Sequence, residues 1–383
     1  MRNEVIVVGL GAMGSSVSWQ LARRGVGVLG FDQYSPPHDG GSTHGESRIS
    51  RLAVAEGDEY VPLVRRSHEL WREIEAESGH TLLTQTGGLV IGGPESDFVT
   101  RTSEIAQRHG IAHDALDGVE LRSRFPMFVA GEAARAYYEP EAGYVRPEAA
   151  VAAQLGLATN AGAQLRLAEP VLEWRASPEG VRVWTADGVH DAERLVLCPG
   201  PWITQLFPEG RDHFAVFRQL LVWFPITQDP PGLDDMPIFI WDFGGGLTGF
   251  VHLDGFYGFP PLAGSAGGVK VATAQYATTS EPDGVQHPAT AEEAAHLRRD
   301  VIGERLPWVG ATALRSASCV YTSTRGNRFV IDRHPAHDNV MIVSACSGHG
   351  FKHSPAIGEA VAQWITGQSA QIDLQPFQYP GAE

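Results

Sequence analysis

Positive charge is scarce in this chain. Lysine and arginine total 29 against 45 aspartates and glutamates, a formal net charge of −16. That balance disfavours nucleic acid and anionic membrane as partners, because both reward a basic surface. A small anionic ligand is still allowed where basic side chains are focused in a cleft. Cysteine is scarcer: three among 383 residues, an odd number that indicates no disulfide framework. Long apolar runs are missing, and no stretch approaches the roughly 18 residues of a membrane span. The N-terminus enters an apolar strand almost at once, with no basic segment leading to a cleavage site. No Gly-x-Ser-x-Gly occurs, which argues against an α/β-hydrolase. His334 and His337 are three apart and His349 and His353 four apart. Pro335 breaks the first pair and no carboxylate stands beside either, so no metal set is expected. These lacks predict a soluble, cytoplasmic protein with small-molecule partners.

Apolar residues make up 43% of the chain, enough for a large core, and the length suits two domains. The clearest segment is "EVIVVGLGAMGSSVSWQLARRGVGVLGFD". Val5 to Val8 read as a buried parallel strand. Gly9, Gly11 and Gly14 follow at the G-x-G-x-x-G spacing, then a helix with Met13, Val17 and Leu21 on one stripe. Gly25 stops it, "VGVLGF" is the next strand, and Asp32 ends that strand. Glycines let the backbone approach a pyrophosphate, the helix N-terminus offers N–H donors, and the acid accepts ribose hydroxyls. All three parts are in order, which points to a dinucleotide.

Beyond it lies a loop rich in Pro, Gly and Ser that ends with Arg48 and Arg51. Two arginines three apart on a helix or tight turn would point the same way, and Arg suits bidentate carboxylate recognition. Helices are expected over 58–77 and 95–109, and strands at "GGLVIGG", "PVLEW", "GVRVWTADG" and "RLVLCPGPW". Residues 216–275 read as an antiparallel sheet. "TAEEAAHLRRDVIGERLP" reads as a helix whose capping box runs from Thr290 to Glu293. The chain closes as strand, glycine turn and helix, with Gly348, Gly350 and Lys352 in "CSGHGFKHS". Such a turn presents N–H groups and a positive helix end, where a lysine either turns to solvent or meets a bound anion. Lys270 sits among small apolar residues in a strand-like run, on a solvent face or buried for chemistry. Cys198, Cys319 and Cys346 all read locally as small buried hydrophobes.

Together these motifs resemble the monomeric sarcosine oxidase and N-methyltryptophan oxidase family of flavoprotein amine oxidases, essentially end to end. The FAD fingerprint, "GSTHGESRISRLAVAEGDEYVPLVRRSHELW", "FYGFP", "CVYTSTRGNRFVIDRHPAHDNV" and "SGHGFKHSPAIGE" follow in that family's order. The resemblance implies an α/β fold: a Rossmann-like FAD-binding domain (1–80, 146–217, 322–383) interleaved with a substrate domain on a mostly antiparallel sheet (81–145, 218–321). It implies FAD joined to Cys319 as an 8α-S-cysteinyl thioether, with Arg48 near the flavin. Arg51 and Lys352 would hold a substrate carboxylate, Tyr257 and Tyr321 would touch substrate, and Lys270 would activate dioxygen. A monomer that oxidises an N-methyl or cyclic secondary amino acid and forms hydrogen peroxide is the expectation. A fructosyl amino acid oxidase or an FAD-dependent dehydrogenase on the same scaffold is the alternative, and a non-catalytic nucleotide-binding protein a further one. Departures fall near the expected substrate cavity. Ala274 stands where the family often has histidine, the run from Tyr257 to Lys270 is two residues longer, and "RGNR" replaces acidic residues after Cys-x-Tyr-Thr. They put sarcosine itself in doubt as the substrate.

Overall fold

Apolar strands bounded by glycine turns assemble into two large sheets. They are seen in a computed structural model that describes residues 3–244, 253–284 and 288–381. The first sheet has six strands in the order Val330–His334, His337–Ser344, Arg194–Leu197, Val5–Val8, Val28–Phe31 and Gln164–Arg166. Every pair is parallel except the Val330–His334 edge. All four residues of Val5–Val8 are buried, as a strand covered on both faces requires. Val5 and Val7 join the larger core cluster. Helices Ala12–Ala22, Tyr60–Ser78, Pro147–Asn160 and Ser354–Thr366 pack together beside this sheet. Ile6 and Val8 join the opposite cluster with Val181 and Val183 of a small three-stranded sheet. The close crossing of the first and last helices needs Gly358, where an added Cβ would lie 2.2 Å from Ser16 Oγ.

The second sheet has eight strands in the order Arg315–Thr324, Phe214–Phe224, Val269–Thr273, Gly255–Phe259, Ile238–Asp242, Gly88–Gly92, Arg135–Glu139 and Asp114–Asp117. It is antiparallel except where Ile238–Asp242 pairs with Gly88–Gly92. Alternation gives it two faces. Val269, Val271, Phe239 and Phe256 belong to a core cluster on one face. Ala272 packs instead with Leu221, Trp223 and Cys319. Lys270 therefore points away from Val269 and Val271, to the side that meets the first sheet.

Two expectations shift. The strand read at "PVLEW" is Glu173–Ser177, because Pro170 has no N–H to give a ladder. The helix begun at Thr290 has its capping box but is α-helical only over Ala291–His296. It widens into a π-helical turn over Leu297–Ile302 and ends at Gly303, φ 52°. Within 216–275, residues 245–252 lie outside the described residues. The expected domain boundaries 217/218 and 321/322 fall inside Phe214–Phe224 and Arg315–Thr324, two strands paired with each other. Among the described residues no helix is long and apolar enough to cross a membrane.

Candidate active site

One cavity of about 250 Å³ is lined from both sheets. Gly9, Gly11, Asp32, Arg48, Arg51, Tyr257, Tyr321, Gly348, Gly350 and Lys352 all reach it. Gly9 adopts φ +86°, and a Cβ there would lie 2.3 Å from Cys198 O. Gly14 lies beneath the lining, where a Cβ would meet Gly9 O at 1.7 Å. Any side chain there forces the strand and helix apart. Gly350 repeats the device at the far end, with Ala345 O at 1.7 Å from its would-be Cβ. Asp32 Oδ2 accepts the Leu10 N–H at 2.7 Å and Oδ1 accepts the Tyr34 N–H at 2.8 Å. Both bonds fix the carboxylate at the cavity wall.

Buried cations gather at the other end. Arg51 is 4% exposed and pairs with Glu56 at 3.1 Å, and its Nη1 donates to Ala53 O. Lys352 is 3% exposed and donates to His349 O at 2.7 Å. Burial pushes its ammonium down to about 7, against the pull of Glu56. Arg48 and Arg51 do not share a helix or turn as their spacing allowed. Arg48 opens the strand Arg48–Ser50, which ladders with Gly143–Val145, and Arg51 follows it. The two guanidiniums have different partners as a result. Arg48 donates to Ser42 O at 2.8 Å, Ser47 O at 2.9 Å and Cys319 Sγ at 3.3 Å.

Lys270 and Cys319 are not among the residues that line this cavity. Lys270 Nζ donates to Gly45 O at 2.6 Å, Ser47 O at 2.9 Å and Ser47 Oγ at 3.1 Å. Those three acceptors are what let an ammonium only 2% exposed stay in the interior. Burial, then the nearby Arg48, holds it well below the ordinary lysine range. Gly45 marks the crowding: an added Cβ would lie 3.7 Å from both Arg48 Nη1 and Lys270 Nζ. Cys319 is 3% exposed, with Arg48 and Ser42 O at its sulfur. Cys198 and Cys346 do line the cavity, and burial pushes both thiols up. Tyr257 and Tyr321 share a 2.7 Å hydroxyl bond, and burial pushes the Tyr257 phenol up to about 12. Ala274 packs against the larger core cluster, off the cavity.

Four acids or bases of this site were given no role by the sequence reading. Glu56 neutralises Arg51. Glu148 accepts the N–H groups of Gly45 at 2.5 Å and Glu46 at 3.0 Å, holding the loop that carries the acceptors of Lys270. Glu139 holds the turn after Arg51. His44, buried beside Arg48, is pushed down to about 4 by burial and stays uncharged at neutral pH. The one available signal was proximity in sequence for Glu56, five residues after Arg51. Glu139 and Glu148 reach the site from 87 and 103 positions away.

A family model described as FAD dependent oxidoreductase matches residues 4–364. Monomeric sarcosine oxidase of Streptomyces avermitilis is 39% identical over 96% of this chain and 94% of its own. The chain belongs to the FAD-dependent oxidoreductases of the monomeric sarcosine oxidase and N-methyltryptophan oxidase group. N-methyl-L-tryptophan oxidase of Yersinia pestis is 31% identical over 98% of each chain. The solved structure of NikD, an amino acid oxidase of nikkomycin biosynthesis, shares the fold with TM-score 0.84 at 22% identity. It covers 99% of this chain and 98% of that one.

The residues present fit the cofactor of an FAD-dependent oxidoreductase. The Gly9–Gly14 cradle is open only because no Cβ fills it. Among the described residues Ser42 Oγ and Thr322 Oγ1 have no hydrogen-bond partner though buried, and both residues line the cavity. Buried polar atoms of that kind call for a ligand. Asp32, beside the glycine cradle, and Arg51 and Lys352 line the same cavity.

Proposed function

We propose that this chain is an oxidase of N-methyl or cyclic secondary amino acids, a monomer acting in the cytoplasm. The observation that carries the reading is the pair of buried cations, Arg51 and Lys352, on the wall of the cavity that Gly9 and Asp32 open. FAD, when bound, supplies the two-electron acceptor. Arg51 and Lys352 would take the substrate carboxylate and so orient the C–H next to nitrogen. Since Glu56 already occupies part of Arg51, the incoming carboxylate shares the guanidinium with it. Tyr257 and Tyr321, locked to each other, would form the wall beside the amine. The helix end and turn at Gly348–Lys352 would favour negative charge developing there. Lys270 would place its charge, together with Arg48, where dioxygen gains an electron. Cys319 would hold the cofactor. In net terms the amine loses two electrons and two protons to give an imine, and dioxygen becomes hydrogen peroxide. Water then hydrolyses the imine.

The test is peroxide release from the purified holoenzyme with sarcosine, other N-methyl amino acids, pipecolate, proline and fructosyl-glycine. No turnover with any N-methyl or cyclic secondary amino acid sinks the reading. Turnover of fructosyl-glycine alone would move the chain to the sugar-amine oxidases. Reduction of an artificial acceptor without any peroxide would make it a dehydrogenase.

Lys352 supplies a pH test. Its ammonium is charged below about 7 and neutral above. A carboxylate binds the charged form, so its affinity should fall as pH rises from 6 to 9. Binding should be accompanied by proton uptake near pH 7. Calorimetric titration with cyclopentanecarboxylate, which has no amine to titrate, should show both trends in wild type and neither in Lys352→Met. A flat wild-type profile excludes Lys352 as a carboxylate partner.

A further inference from the structure

Glu139 is fully buried at the end of the strand Arg135–Glu139 and does not line the cavity. Its Oε1 accepts the Leu52 N–H at 2.6 Å. Its Oε2 accepts the Ala53 N–H at 3.1 Å and the Tyr137 O–H at 2.9 Å. A carboxylate at 0% exposure is costly, and these three donors are what make it tolerable. Even so, burial pushes its carboxyl up. The turn it grips is the one Arg51 grips from the other side, since Arg51 Nη1 donates to Ala53 O. Glu139, the Ala53 peptide and the Arg51 head form one chain of bonds. It starts on the rigid eight-stranded sheet and ends at the cavity. Phe98 closes it, with the Arg51 guanidinium 5.3 Å from its ring centre. A guanidinium has five N–H donors. Ala53 and Glu56 take a share of them, which leaves the cavity side for a ligand.

We propose that Glu139 is a positioning residue for Arg51: its carboxylate pins the Leu52–Ala53 turn and thereby sets where the guanidinium meets a carboxylate ligand. The inference rests on the carboxylate-binding role given to Arg51 above. Nothing local marks it, because Glu139 enters through the backbone amides of residues 87 positions earlier. A turn held only by its own chain would let Arg51 rotate with Glu56, and a misplacement of about 1 Å can cost roughly 100-fold.

The experiment is a double-mutant cycle in the holoenzyme, read by calorimetry with cyclopentanecarboxylate and by kcat and KM on the best substrate of the panel. Glu139→Gln keeps the shape but can no longer accept both amides and the phenol. It should weaken carboxylate binding and raise KM roughly 10- to 100-fold, with kcat changed far less. In the Arg51→Met background the same substitution should change affinity less than twofold. Glu139→Asp should restore part of the loss. An equal loss in both backgrounds would show a role independent of Arg51 and overturn the proposal. So would wild-type affinity in Glu139→Gln. If Glu139→Gln does not accumulate as folded holoenzyme, Tyr137→Phe carries the same cycle: a smaller loss that vanishes with Arg51→Met supports the proposal, and unchanged binding overturns it. Failure of the functional reading looks different, because then wild type itself binds no carboxylate and oxidises no amine.

Discussion

Lys270→Met is expected to slow reoxidation of the substrate-reduced enzyme by dioxygen roughly 100- to 1000-fold, the usual cost of removing one preorganised electrostatic partner. Anaerobic reduction by the amino acid should stay within a fewfold of wild type, because Arg51 and Lys352 are untouched. Methionine nearly preserves the volume, so the strand Val269–Thr273 keeps its packing. The change removes one donor each from Gly45 O, Ser47 O and Ser47 Oγ, while Ser47 O keeps Arg48 Nη1 and Gly45 O keeps the Ser47 N–H. A buried hydrogen bond contributes about 0.5–1.5 kcal/mol net. A lower denaturant midpoint is therefore expected beside the kinetic effect. Stopped-flow mixing of the two half-reactions separates them. Equal reoxidation rates in the two proteins would remove Lys270 from the oxygen step. Slowing of both half-reactions alike would show that the loop Gly45–Ser47, rather than the charge, carries the effect. Glu148→Ala offers the complementary change, since it loosens that loop and leaves the lysine in place.

Cys319→Ala is expected to abolish covalent attachment outright. Acid-precipitated wild type should be yellow in the pellet, and the variant should release all its colour to the supernatant. Formation of the thioether removes two electrons and two protons, which dioxygen takes up as hydrogen peroxide, so attachment in wild type should need air. Arg48→Met should slow attachment, because Arg48 is the cation in contact with the sulfur at 3.3 Å. Cys198→Ala and Cys346→Ala should leave attachment intact even though both residues line the cavity. Arg48 gives its hydrogen bond to Cys319 rather than to either of them, and burial pushes their thiols up. Colour in the supernatant from wild type ends the covalent claim at once.

The residues around this cavity differ in how they can be read. The turn at Gly9–Gly14 and the strand that ends before Asp32 were legible because they are local structure. Tight turns, a helix start and a strand end are set by neighbours a few residues away. Lys270, Arg51, Cys319 and Lys352 became interpretable only through the resemblance, since spacing alone left each with a bland reading. Even then the geometry differed from the expectation. Arg48 and Arg51 have different partners, and Cys198 and Cys346, rather than Cys319, are among the residues that line the cavity.

The sequence alone determined the dinucleotide cradle, the two-sheet composition and the acidic surface. Each follows from backbone conformation, hydrophobic period or net charge, which act over short range or over the whole chain. Tertiary structure decided the partners of the charges. Arg48 meets a sulfur 271 positions away, Lys270 meets carbonyls 225 and 223 positions away, and Glu139 reaches back 87 to hold Leu52. A buried ion is stable only where the fold brings it matching donors or acceptors. Those partners lie on other strands and loops, with no period or spacing to announce them.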